Sequence, residues 1–186
     1  MPIDPDIVKR SLFNLRIEDI QDPTIAYLYR DKRQEMESMM TMLGHCGKPN
    51  FRHGSLNVYG NVSDKLYHIA QAILTVIDSK SGEGSTAAPV LNAEEFAALA
   101  RAEIDYFKSQ KEDLNAAVRI RKDVSGVMVN RGILNISADY KIAKPRAMAL
   151  IQHEVGTHIR TYYNGKTQPI GLFSLGVPGY EALQEG

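Results

Sequence analysis

The stretch of this 186-residue sequence best equipped for chemistry is HEVGTHIRTYYNG, beginning at His153. Two imidazoles, His153 and His158, stand five residues apart, and Glu154 follows the first. The usual zinc-peptidase string places two histidines four apart on a helix, with a glutamate after the first. Two imidazoles and one carboxylate, with water in the fourth position, make an open zinc site. Here the spacing is one residue too long. On a regular α-helix, residues five apart point about 140° away from each other, and residues four apart differ by only about 40°. Both imidazoles reach one metal only if the helix is locally widened, as a π-bulge does through an i→i+5 hydrogen bond. Gly156 lies between them, where helical propensity is weakest. Regular winding offers a rival, in which Glu154 and His158 share a face at i, i+4 and His153 turns away.

A third ligand has to come from elsewhere. Glu185, in YEALQEG, is acidic, lies downstream on a separate element, and follows a loop long enough to turn the chain back. Glu181 stands one helical turn earlier and is an equal candidate by spacing. The other potential ligands are less organised. His45, Cys46 and His53 share a Gly-, Pro- and Asn-rich stretch, GHCGKPNFRHGSLNVYGN, at no recognised ligand spacing. His68 lies among apolar positions and reads as a hydrogen-bonded, half-buried residue.

The elements that must position these groups follow from periodicity. PDIVKRSLFNL and DPTIAYLYRDKRQEMESMMTML carry apolar residues at helical spacing. The second starts at Asp22-Pro23, an N-cap with proline at the first helical position, and stops at Gly44. Its methionines (Met36, Met39, Met40, Met42) read as flexible core filler. GHCGKPNFRHGSLNVYGN reads as a loop. VSDKLYHIAQAILTVI is a helix capped by Ser63. DSKSGEGSTAAPVL is the clearest flexible stretch. Asn92 and Glu95 have capping-box spacing and open the helix AEEFAALARAEIDYFKSQ. AAVRIRKD and GVMVNRGILNIS, separated by the turn KDVSG, read as two or three strands. KIAKP is a connection. RAMALIQHEVGTHIRTYY is a helix stopped by Asn164-Gly165, KTQPIGLFSLGVPG is a loop, and YEALQEG begins a last helix. The expected organisation is an N-terminal helical part over 1–77, a linker or loop over 78–92, and a part over 93–186 holding a small sheet and the motif helix. The fold class is α+β.

Composition narrows the function classes. Lys+Arg and Asp+Glu both number 22, so no net charge points to a polyphosphate, and no basic stripe interleaved with aromatics points to nucleic acid. Hydrophobic residues at 44% and charged residues at 24% are those of an ordinary globular protein. The single Cys46 excludes an internal disulfide and a cysteine-rich zinc site. MPIDPDIVKRSLFN is too polar for a secretory signal, and no apolar run approaches a membrane span. A cytoplasmic protein is expected.

ALIQHEVGTHIRTYYNGKTQPIGLFSLGVPGYEALQEG closely resembles the QEGLA-motif family. Its bacterial members are named for modulating flavohaemoglobin expression, and it includes the microtubule-associated tyrosine carboxypeptidases. His-Glu-x-x-x-His, TYYNG…QP and QEG carry the resemblance. KRQEMESMMTML, LNVYGNVSDKL and GVMVNRGILNIS extend it over nearly the whole chain. The resemblance implies a zincin-like fold, with His153, His158 and Glu185 as zinc ligands and Glu154 as catalytic base. The family motif continues past QEG into Leu-Ala and a helical remainder, whereas this sequence stops at Gly186, as a fragment would.

The implied activity is a zinc-dependent carboxypeptidase acting on a peptide or protein C-terminus. An edge strand in GVMVNRGILNIS could pair with an extended substrate. The terminal carboxylate needs a cation, and Arg131 and Arg160 are the nearest in sequence. Tyr162, Tyr163 or Tyr180 could stabilise an oxyanion, although packing is the commoner role of tyrosine. Two rivals stand beside this reading. One is a regulatory or scaffolding protein that keeps the fold without the chemistry. The other is a non-haem iron enzyme using the same ligands, which the helical setting of the string disfavours.

Overall fold

A computed structural model describes residues 4–78, 88–110 and 114–185. The chain divides into two compact units, Met1–Gly84 and Ser85–Gly186.

The first unit is helical. Helix α1 (Pro5–Phe13) is capped by Asp4, whose carboxylate accepts the N–H of Asp6 at 2.9 Å. Helix α2 (Pro23–Gly44) begins at the expected cap. The Asp22 carboxylate accepts the N–H groups of Thr24 and Ile25 at 2.8 and 2.9 Å, with proline at the first position. Helices α3 (Phe51–Tyr59) and α4 (Asp64–Asp78) follow, and the Ser63 hydroxyl accepts the Leu66 N–H. Helices α1 and α3 pack on α2. Met42 is buried, and Met36, Met39 and Met40 are half-buried.

Two expectations fail in this unit. Residues 51–59 are helical rather than loop. Gly54, one of the glycines that gave the stretch its loop composition, is a close-approach residue: a Cβ there would sit 2.9 Å from the Met42 Cα. His68 is exposed rather than half-buried, like the apolar residues around it on α4.

The second unit is mixed. Strand β1 (Val90–Asn92) leads into helix α5 (Ala93–Gln110). The capping box forms: Asn92 Oδ1 accepts the Glu95 N–H at 3.0 Å and Glu95 Oε2 accepts the Asn92 N–H at 2.8 Å. Strands β2 (Ala117–Arg121), β3 (Val127–Asn130) and β4 (Ile133–Ser137) make one sheet in the order β2-β4-β3. Strand β4 is central, parallel to β2 and antiparallel to β3, with Leu134 opposite both Val118 and Val129. The β3–β4 turn is Arg131-Gly132, with φ of 50° and 76°, as a two-residue type I′ hairpin requires.

KIAKP is not a plain connection. Strand β5 (Lys141–Ala143) pairs antiparallel with β1, Ile142 opposite Leu91. The stretch expected as a linker therefore ends in a strand, and its residues 79–87 lie outside the described residues. Helices α6 (Lys144–Ile151) and α7 (Arg160–Lys166) flank a π-helical segment, Gln152–Ile159. Helix α8 (Tyr180–Glu185) comes last. The core lies where α5 and the π-helical segment meet β4, around Phe96, Ile104, Leu134, Ile136, Ile151 and Ile159.

Asn164-Gly165 does not stop the motif helix, which runs on to Lys166. Gly165 is buried there because the backbone of Phe173 lies where its Cβ would be. As at Gly54, a glycine that sequence rules read as a stop marks a close approach between elements.

Candidate metal centre

The motif helix is built around one apolar stripe. Ala147, Ile151, Val155, Ile159 and Tyr163 are all buried, and they recur at a constant spacing of four. On a regular α-helix each such step drifts by about 40°, so the stripe would wind away from the core. A segment closed by i→i+5 bonds turns about 80° per residue and drifts the other way. Alternating α, π and α winding therefore keeps all five residues on one face. The wide winding is visible in the backbone, where the Arg160 N–H reaches the Val155 carbonyl five residues back. The sequence spacing leads to an expectation of one widened turn near Gly156. The structure widens the whole segment Gln152–Ile159, and the four-residue stripe is the physical reason.

The same winding brings the two histidines together. Residues five apart in the wide segment differ by about 50° rather than about 140°. The rings of His153 and His158 have centroids 4.6 Å apart and stand nearly perpendicular, at 87°. Their Nε2 atoms are 3.1 Å apart. Helix α8 supplies the third group: Glu185 Oε2 lies 3.4 Å from His153 Nε2, and Oε1 lies 3.2 Å from His158 Nε2. The rival pairing of Glu154 with His158 is not what forms.

These three separations test whether a metal fits. A tetrahedral ion with bonds of about 2.0–2.1 Å holds its ligand atoms about 3.3–3.4 Å apart. The two imidazole nitrogens, 3.1 Å apart, lie close to that edge, and each has one of the two Glu185 oxygens within 3.4 Å. His153, His158 and Glu185 thus form a group that could hold a divalent metal.

Glu154, on the same segment, is buried and lies within electrostatic reach of all three. Burial pushes its carboxyl above the usual range; His158 and His153 pull the other way, and Glu185 adds to the rise. Beside the histidines a cavity of about 420 Å³ opens between β5 and α6, with His153 in its wall along with Tyr140, Lys141, Arg146 and Leu150. Burial raises the Tyr140 hydroxyl, Arg146 opposes the rise, and Glu154 reinforces it. Tyr140 therefore lies within electrostatic reach of both the cavity cation and the buried glutamate.

The other candidates lie as follows. Arg160 stacks over the Phe107 ring, 5.0 Å from its centroid. Arg131 occupies the β3–β4 turn, and neither arginine lines the cavity. Tyr163 is buried and donates its hydroxyl to the Asn115 carbonyl, a packing role. Tyr162 stands edge-on to it, 5.2 Å between centroids, and Tyr180 opens α8. Sequence reasoning passed over Lys141, Arg146 and Tyr140 as site residues. The available signal was the i, i+7 spacing of Arg146 and His153, which places both on one helix face.

A mixed α+β unit with two imidazoles and a carboxylate converging beside a buried glutamate defines a candidate metalloprotein. The family profile described as microtubule-associated tyrosine carboxypeptidase matches residues 1–186, and the chain belongs to that family. No curated protein and no solved structure gives a significant match. Among the described residues, no helix is long and apolar enough to cross a membrane.

Proposed function

We propose that this protein is a zinc-dependent carboxypeptidase of zincin-like architecture that removes the C-terminal residue of a peptide or protein. The family's name favours tyrosine as that residue and a microtubule-associated setting. The observation that carries the reading is the convergence of the donor atoms of His153, His158 and Glu185 to within 4.8 Å of one another, with Glu154 buried on the same wide helical segment.

Zinc held by these three residues would lower the pKa of a bound water toward ~7 and polarise the scissile carbonyl. Glu154 then accepts the water proton and returns it to the leaving amine. Its burial suits the first task, because a carboxylate with a raised pKa is a stronger base than an exposed one. Strand β3 is an edge of its sheet and packs against the π-helical segment, so its free side can receive an extended substrate. The two-histidine, one-carboxylate set also suits iron, and elemental analysis of the purified protein separates the two metals.

The test is release of free tyrosine from peptides ending in tyrosine, using zinc-loaded protein. Glu154→Gln is expected to lower the rate by about 10²–10⁴-fold while zinc stays bound. Absence of release by the zinc-loaded protein, or an unchanged rate in Glu154→Gln, would overturn the reading.

A further inference from the structure

The cavity beside His153 carries charge that the metal centre does not use. Lys141, on β5, and Arg146, in the first turn of α6, both line it and both are exposed. Among the described residues neither forms an ion pair. The remaining wall is largely apolar, with Ile142 buried and Leu150 half-buried, and Tyr140 adds a hydroxyl. A volume of about 420 Å³ lies in the range of small-ligand sites. The space therefore offers apolar surface for one side chain and two cations for an anionic group.

Its position fixes which anionic group. His153 is both a wall of the cavity and one of the three converging donors. Arg146, Leu150 and His153 lie at i, i+4 and i+7, which share one helix face. Seven residues span about 10 Å along a helix axis, and Leu150 lies between Arg146 and His153 in the cavity wall. The cations and one of the converging donors thus share a single cavity wall.

We propose that this cavity holds the C-terminal residue of the substrate, with Arg146 and Lys141 clasping its free α-carboxylate. The proposal rests on the carboxypeptidase reading above and adds what makes the cleavage terminal. A peptide without a free carboxylate at that position gains nothing from the two cations, so they favour a chain end over an internal peptide bond. A planar guanidinium matches a carboxylate with two parallel hydrogen bonds, and the ammonium adds a point charge.

The experiment separates this from the metal chemistry by measuring binding. N-acetyl-tyrosine and N-acetyl-tyrosinamide, identical except for the charge, are titrated into the zinc-loaded chain by calorimetry. The acid is expected to bind roughly ten- to a hundredfold more tightly, the range of a charge-assisted contact. In Lys141→Gln/Arg146→Gln that preference should vanish, with amide binding changed less than about twofold. Both side chains are exposed, so the double variant keeps the fold. A preference that survives the double substitution would mean the carboxylate sits on the metal, and the proposal fails. Equal binding of acid and amide to the unmodified chain, or no saturable binding of either, also overturns it. Loss of the preference in the double variant supports the pocket even if the zinc-loaded chain releases no tyrosine, an outcome that would count against the carboxypeptidase reading alone.

Discussion

Helix α4 and the motif helix look alike as strings. Each mixes apolar residues at helical spacing with a histidine, His68 in one and His153 and His158 in the other. In the motif helix, Ile151, Val155 and Ile159 have no exposed surface at all. On α4, Leu66 is 56% exposed, Ile69 47% and Ile73 53%. Periodicity states which residues share a face, and the chain around them decides whether that face is covered. The same holds for the histidines. Those on the motif helix meet a carboxylate brought by another element, whereas among the described residues His68 meets the edge of the neighbouring Tyr67 ring, 5.8 Å between centroids.

The contrast is sharpest in metal binding. His158→Ala removes one of three donors and is expected to take zinc stoichiometry from about one to near zero. His68→Ala should leave it unchanged. Elemental analysis after dialysis against a weak chelator checks both, and equal losses in the two variants would break the contrast.

Packing gives the next largest effect. Ile159→Ala deletes buried methyl groups from a closely packed site and is expected to cost about 2–5 kcal/mol. Ile73→Ala, on the exposed face, should stay within about 0.5 kcal/mol. Urea unfolding measures both. A loss at Ile73 matching that at Ile159 would mean that the α4 face is covered in solution.

The smallest effect is on pH dependence. Burial raises the Glu154 carboxyl in the folded protein above the ordinary glutamate value of 4.5. The folded state then binds the proton more tightly than the unfolded state does. The associated stability is complete below the unfolded value and is lost as pH rises through the raised folded value. In the metal-free protein, Glu154→Gln should therefore be the more stable form above that window, the gap closing toward pH 4. Thermal unfolding in chelator across pH 4–8 checks the sign, and a gap that widens on acidification would contradict the burial argument.

Much of the site was legible because its parts are local. The Asn92/Glu95 capping box, the Asp22-Pro23 helix start and the strands around Arg131-Gly132 each depend on residues a few positions apart, and each forms as read. The five-residue histidine spacing announced an irregular helix, and one is present. What escaped depends on contacts between distant segments. Gly54 and Gly165 carry the local signature of a stop, yet their roles are set by Met42 and Phe173. Strand β5 is three residues long and exists only because β1 lies beside it. Arg146 became a site candidate only once β5 and α6 had enclosed a cavity against His153. The full length of the π-helical segment was written in the four-residue stripe, a pattern that helix and strand templates both pass over.

That stripe also bears on history. If Gly156 were removed, HEVGTH would become HEVTH, with the histidines four apart and the buried residues spaced four, four, three and four, as an ordinary helix allows. Two faces, one apolar and one polar, would return to regular winding together. The wide segment is thus what a single inserted residue looks like when it can be absorbed without disturbing either face. A chain lacking Gly156 is expected to fold and keep its metal, whereas deleting Ala149 from the regular turns upstream should destroy both.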